Sequence, residues 1–189
     1  MRYALLLGAL MLVAGCVGLP ARRSAAHGAC PCCESYGRDP ATLAARELHR
    51  RDDLQELIRL AERDNAEAQY LLAIRHDRGG AEAAGGGEAM RWLRRAAFLE
   101  HPAAQFTMAR SYAQGHGVER DERQAARWYA MAAERGFGPA MFALAECYNE
   151  GRGVDRDPQQ ARAWLEKLAR RSRCLLRREA RQALVQIVD

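Results

Sequence analysis

Apolar residues through the middle of the chain fall at steps of three and four. In HPAAQFTMARSYAQG, residues 101–115, Ala104, Met108 and Tyr112 stand four apart beside Phe106 and Ala109, the period of a helix with one buried face. Gly115 ends that helix as a residue free to adopt a left-handed conformation. The polar loop HGVERDERQ turns the chain. A second helix follows in QAARWYAMAAERG, with Ala125, Trp128 and Ala132 along its inner side and Gly136 closing it. The pattern predicts an antiparallel pair, helix A and helix B.

The pair is repeated. Trp92, Trp128 and Trp164 are separated by 36 residues, and the same offset links Ala68, Ala104 and Ala140, then Gly79, Gly115 and Gly151, then Ala89, Ala125 and Ala161. One helical hairpin cannot bury its own apolar stripe, whereas stacked hairpins with polar caps can, so the period predicts a short all-α, right-handed solenoid. Alanines at matched positions let neighbouring helices approach, and one large side chain per helix fills the remaining groove. The units span about 64–99, 100–135 and 136–171.

Residues 41–63 carry a further stripe of Leu54, Leu57, Ile58 and Ala61, with Leu60 and Ala61 in register with Ala96 and Ala97; they form an N-terminal capping helix, one long helix or a bent pair. Residues 173–189 set Leu175, Leu176, Ala180, Ala183, Leu184 and Ile187 against Arg173, Arg177, Arg178 and Arg181, a C-terminal capping helix with a basic outer face. That face would suit solvent or, on a sharper reading, acidic headgroups.

The three units resemble the Sel-one-like repeat (SLR), a relative of the tetratricopeptide repeat. The second carries Ala104, Met108, Tyr112, Gly115, Gly117, Val118, Asp121, Ala125, Trp128, Ala132, Ala133 and Gly136. The third carries the matching set from Ala140 to Ala169, while the first is degenerate, with His76 in place of the tyrosine. Alanine replaces the family's inner glycine at Ala73, Ala109 and Ala145. The resemblance implies a protein-binding scaffold, whose A helices line a concave surface. Binding residues there would be those that differ between units: Gln69, Arg75, His76, Gln105, Arg110, Tyr112, Glu146 and Tyr148. Tyr112 and Tyr148 have plain groove packing as the competing role.

Residues 1–15 hold Arg2, an apolar run from Tyr3 to Ala14, and small residues before a cysteine, the pattern of a secretory signal too short to span a bilayer. Val13-Ala14-Gly15-Cys16 resembles the lipobox of bacterial lipoproteins. The resemblance implies cleavage before Cys16, its lipidation and an anchor in the cell envelope; Val17 in place of aspartate points to the outer membrane, facing the periplasm. Residues 16–40 then form a flexible tether rich in Gly, Pro and Ser.

The tether contains His27, Cys30, Cys32 and Cys33, a donor set suited to zinc or copper(I) if it acts as a metal site. A redox role is the third option beside disulfides to Cys147, Cys174 or another chain. With Cys16 lipidated, an odd number of the six cysteines remains, so wholly intramolecular pairing leaves one over.

Charge changes little. The net charge is +5, with Lys167 the sole lysine, but acids are interspersed with the arginines and no basic run is interleaved with stacking aromatics, so nucleic acid is not the expected partner. No nucleophile elbow, phosphate loop or paired-histidine metal motif occurs, which argues against an enzyme and a cofactor. Cysteine-rich SLR proteins described as binding or hydrolysing β-lactams resemble another pattern, one cysteine pair per hairpin, and Cys147 and Cys174 do not recur at 36.

Overall fold

The computed structural model describes residues 39–77, 86–171 and 176–187. Among them are nine helices: α1 (Pro40–Arg51), α2 (Leu54–Glu62), α3 (Ala66–Asp77), α4 (Gly86–Phe98), α5 (Pro102–Gln114), α6 (Glu122–Glu134), α7 (Gly138–Glu150), α8 (Pro158–Ala169) and α9 (Arg177–Gln186). Helices α3/α4, α5/α6 and α7/α8 are the A/B pairs of the three repeats, and each B helix packs on the next A helix. The result is an all-α solenoid, with α1 and α2 on one end and α9 on the other.

The recurring aspartates start the B helices. Asp121 accepts the Gln124 backbone N–H at 3.0 Å, and Asp157 accepts those of Gln159 and Gln160 at 3.0 Å, so a side-chain oxygen satisfies helix donors that have no partner within the helix. Gly115 and Gly151 close α5 and α7 in the left-handed region, at φ 76° and 73°. Gly153 has a second reason to lack a side chain. A Cβ there would lie 2.0 Å from the Glu122 carbonyl oxygen, so the turn of the third repeat seats directly on the first residue of α6.

The core repeats with the same period. Leu72, Met108 and Leu144 occupy one register position and are fully buried, as are Ala68, Ala104 and Ala140 beside them. Each large side chain contributes about 2 kcal/mol by leaving water. Ala73, Ala109 and Ala145, which stand in for the family's glycine, are also in the core.

The N-terminal cap is a bent pair. Asp52, at φ 62°, ends α1 with its N–H directed to the Leu48 and His49 carbonyls, and Asp53 caps α2 by accepting from Glu56 N at 3.2 Å. The turns from B helix to next A helix share a left-handed residue that the period alone did not reveal: Asp64 at φ 58°, Glu100 at 62° and Gly136 at 79°. Two of the three are acidic, and each pairs with an arginine on a B helix or at its end, Asp64 with Arg95 and Glu100 with Arg135.

Candidate partner-binding site

The A helices bury one side and leave the other. On α5, Ala104, Gln105, Met108, Ala109 and Ser111 are buried, while Ala103, Thr107 and Arg110 are partly exposed and Gln114 is exposed. At about 3.6 residues per turn, these last four form one stripe on the side away from the core. The same stripe on α7 is Pro139, Ala143, Glu146 and Glu150. On α3 it is closed. Helix α1 packs there, Ala45 and Leu48 join Leu71 in a hydrophobic cluster, and Arg46 pairs with Glu67 at 2.7 Å. The open A face therefore belongs to the second and third repeats.

Arg110 and Glu146 occupy the same register position on adjacent A helices and carry opposite charges. Neither has an ion-pair partner among the described residues. Burial is the main cause that pushes the Glu146 carboxyl up to about 6; Arg152 opposes this and Glu150 adds to it. Burial likewise raises the Tyr129 hydroxyl to about 12, and the charges of Arg110, Arg152 and Glu146 all act on it. These four side chains share one neighbourhood, in which a carboxylate is half withdrawn from water and the charge of Arg152 offsets that only in part.

Other expected contacts lie elsewhere. Gln69 and Gln105 are buried, and their amide nitrogens donate to the Ala61 carbonyl at 2.9 Å and the Ala97 carbonyl at 3.2 Å. They tie the end of one B helix to the next A helix and are not surface residues, which corrects the expectation that they face a partner. Tyr112 and Tyr148 pack half-buried against the core between A and B helices, with their backbone carbonyls accepting the N–H groups of Asp121 and Asp157; they are groove fillers. Arg75 is drawn to Asp52 of the cap at 2.5 Å, and His76 is exposed at the end of α3. Cys16, His27, Cys30, Cys32, Cys33 and Cys174 lie outside the described residues, as do the signal and tether.

A buried polar clip escaped sequence reasoning. His101 Nε2 meets Glu67 at 2.8 Å, and both side chains are at most 5% exposed. Because His101 Nδ1 accepts the Ala104 N–H at 3.1 Å, capping α5, its Nε2 carries the proton donated to Glu67. Burial alone would raise the Glu67 carboxyl, but hydrogen bonds from His101 and Arg46 outweigh it and hold the group below its usual range. Tyr70 stacks on the His101 ring at 4.6 Å. The clip joins α1, α3 and the start of α5. A partner 34 residues away leaves no periodic trace.

The tryptophans of the B helices are half-buried and pack against the core. Arg95 lies over Trp92 at 5.1 Å and Lys167 over Trp164 at 4.6 Å. Trp128 instead meets Phe98 of the preceding repeat edge-on, at 5.9 Å.

Among the described residues no group of three or more His, Cys, Asp or Glu side chains is placed to hold a metal ion, and no helix is long and apolar enough to cross a membrane. Cys147 is buried, and burial pushes its thiol up to about 11, so at neutral pH it is a thiol and a poor nucleophile.

The Sel1 repeat family model matches residues 66–98, 102–137 and 138–172, more than half of the chain, and the chain belongs to that family. Two solved structures are similar to it. One is a Sel1 repeat protein from Oxalobacter formigenes, 35% identical with a TM-score of 0.65, over 71% of this chain and 98% of that one. The other is a protective antigen present in uropathogenic Escherichia coli strains, displaying an SLR fold, 34% identical with a TM-score of 0.63. That match covers 72% of this chain and 29% of the longer antigen. No curated protein matches the chain. The Sel1-repeat fold is commonly a scaffold for protein–protein interaction, which supports an unspecified protein partner.

Proposed function

We propose that this chain is a non-enzymatic scaffold that holds a protein partner against the open A face of its second and third repeats, with Arg110 and Glu146 as complementary polar anchors. The observation that carries this reading is Glu146: a carboxylate raised to about 6 by burial, which the charge of Arg152 offsets only in part and which forms no ion pair among the described residues, lowers the stability of the free protein at neutral pH. A partner's arginine or lysine placed there would relieve that cost, and an acidic side chain would meet Arg110 one repeat away. The polar anchors alternate in sign, which sets the register of a bound segment.

The site of action is the cell envelope. The segment Val13-Ala14-Gly15-Cys16 supports a lipid anchor on Cys16, and Val17 supports the outer membrane with the solenoid facing the periplasm, where a scaffold would serve envelope assembly. The test is affinity purification from detergent-solubilised envelopes after cross-linking, comparing wild type with Arg110→Glu. One protein should be enriched by the wild type and depleted about tenfold or more by the variant; equal recovery would remove the A face from the reading. Incorporation of labelled palmitate should vanish in Cys16→Ser, and its persistence would remove the anchor.

A further inference from the structure

The outer face of the B helices changes at one joint. In the first and third repeats a cation, Arg95 or Lys167, covers the tryptophan. The equivalent residue of the second is Met131, 36% exposed. Phe98 departs from register in the same place: its counterparts are the charged Glu134 and Arg170, yet Phe98 is 74% exposed and packs edge-on to Trp128. Leu99 beside it is 41% exposed. Phe98 and Trp128 thus bring two apolar rings together at the joint between α4 and α6, with Leu99 next to Phe98 in the chain and Met131 one turn along α6 from Trp128.

The joint is concave. Arg94, Phe98, Tyr112, Arg123 and Trp128 line an open cleft of about 1060 Å³. Arg94, Arg120 and Arg123 stand against Glu119, Asp121 and Glu122 in its lining. Asp121 is committed to capping α6, and Glu122 pairs with Arg120 at 2.5 Å, leaving Glu119 on the rim. Arg94, Arg123 and Arg127 form no ion pair among the described residues. Arg123, Arg127 and Met131 succeed one another at four-residue steps along α6, so cations and apolar surface run together.

We propose that this cleft is a second docking site, separate from the A face, for an acidic segment of a partner protein that inserts one large apolar side chain between Phe98 and Trp128. Carboxylates flanking that side chain meet Arg94 from α4 and Arg123 from α6. An aromatic anchor ringed by arginines is the usual composition of a binding hot spot. A second copy docked through the same cleft would set arginine against arginine. A flat anionic bilayer would leave the cleft unfilled.

The experiment uses the full chain in detergent micelles and a fluorescein-labelled peptide of aspartate and glutamate with a central Leu-Phe pair, followed by fluorescence anisotropy. Controls replace the acids by lysine or the Leu-Phe pair by alanine. The acidic apolar peptide should bind, both control peptides should bind at least about tenfold more weakly, and raising the salt should weaken the complex. Phe98→Glu, which installs the residue type found at the same position of the next repeat, should cost about tenfold or more in affinity with an unchanged melting temperature. Arg123→Glu supplies a second, surface-only variant with the same expectation, and Arg110→Glu should leave the peptide affinity as it was. Undetectable binding of the acidic peptide, or equal binding by wild type, Phe98→Glu and Arg123→Glu, overturns the proposal. So does Phe98-dependent binding to phosphatidylglycerol vesicles without peptide binding, or Phe98-dependent dimerisation in sedimentation.

Discussion

Burial acts on Glu67 and Glu146 with opposite results, because among the described residues only Glu67 accepts side-chain hydrogen bonds. For Glu67 the folded value lies below the ordinary 4.5, so its pairing stabilises the fold fully above that pH and is lost as pH falls through the folded value. Glu67→Gln should cost about 1–3 kcal/mol at pH 7 and flatten the acid limb of stability against pH below 4.5, read by urea unfolding. For Glu146 the sign reverses. Its folded value of about 6 is above the ordinary 4.5, so the ionised group destabilises at neutral pH and the cost fades as pH falls through 6 towards 4.5. Glu146→Gln should therefore gain about 1 kcal/mol at pH 7.5 and nothing at pH 4; an equal gain at both would dissociate it from titration. Gly153 and Gly117 share a left-handed backbone, but Gly153 faces the Glu122 carbonyl and Gly117 the flexible end of Met90. Gly153→Ala should lower stability by about 2 kcal/mol or more and Gly117→Ala by about 1, in parallel thermal melts.

At the scale of helices, the sequence was legible where local chemistry repeats. The left-handed stops at Gly115 and Gly151 and the alanine faces follow from needs that every repeat must meet, whereas the caps at Asp121 and Asp157 serve the second and third repeats and the first has Gly85 at that position. Asp121→Ala should cost about 1 kcal/mol, since α6 loses its cap while its buried face is untouched; a thermal melt indistinguishable from wild type would contradict the capping role. What period could not reveal is which varying residues are accessible. Gln69 and Gln105 vary from Met141 at the same position, and variation at an A-helix position read as a contact surface. Their amides instead satisfy buried carbonyls at the end of a B helix, while in the third repeat Arg171 reaches the Gly136 carbonyl. Phe98 was the converse case. Its register partners are the charged Glu134 and Arg170, and the edge-on contact with Trp128 gives that departure a location.

Across the whole molecule, each unit touches its neighbours, so stability is close to a chain of local terms. The largest buried cluster spans the second and third repeats and α9, whereas α1 and α2 rest on a smaller cluster with α3. Hydrogen exchange should accordingly show α1 and α2 opening at lower free energy than α6 to α8; uniform protection across all helices would mean a single cooperative unit. The sequence by itself determined the architecture: three 36-residue hairpins and their caps, because helical period and turn glycines are local requirements that recur whenever the unit does. Tertiary structure decided which surface remains. Helix α1 lies across the A face of the first repeat, the Glu67–His101 clip spans three helices, and Arg110 and Glu146 form no ion pair among the described residues, since these outcomes depend on distances between residues far apart in the chain and on which charges burial separates from water.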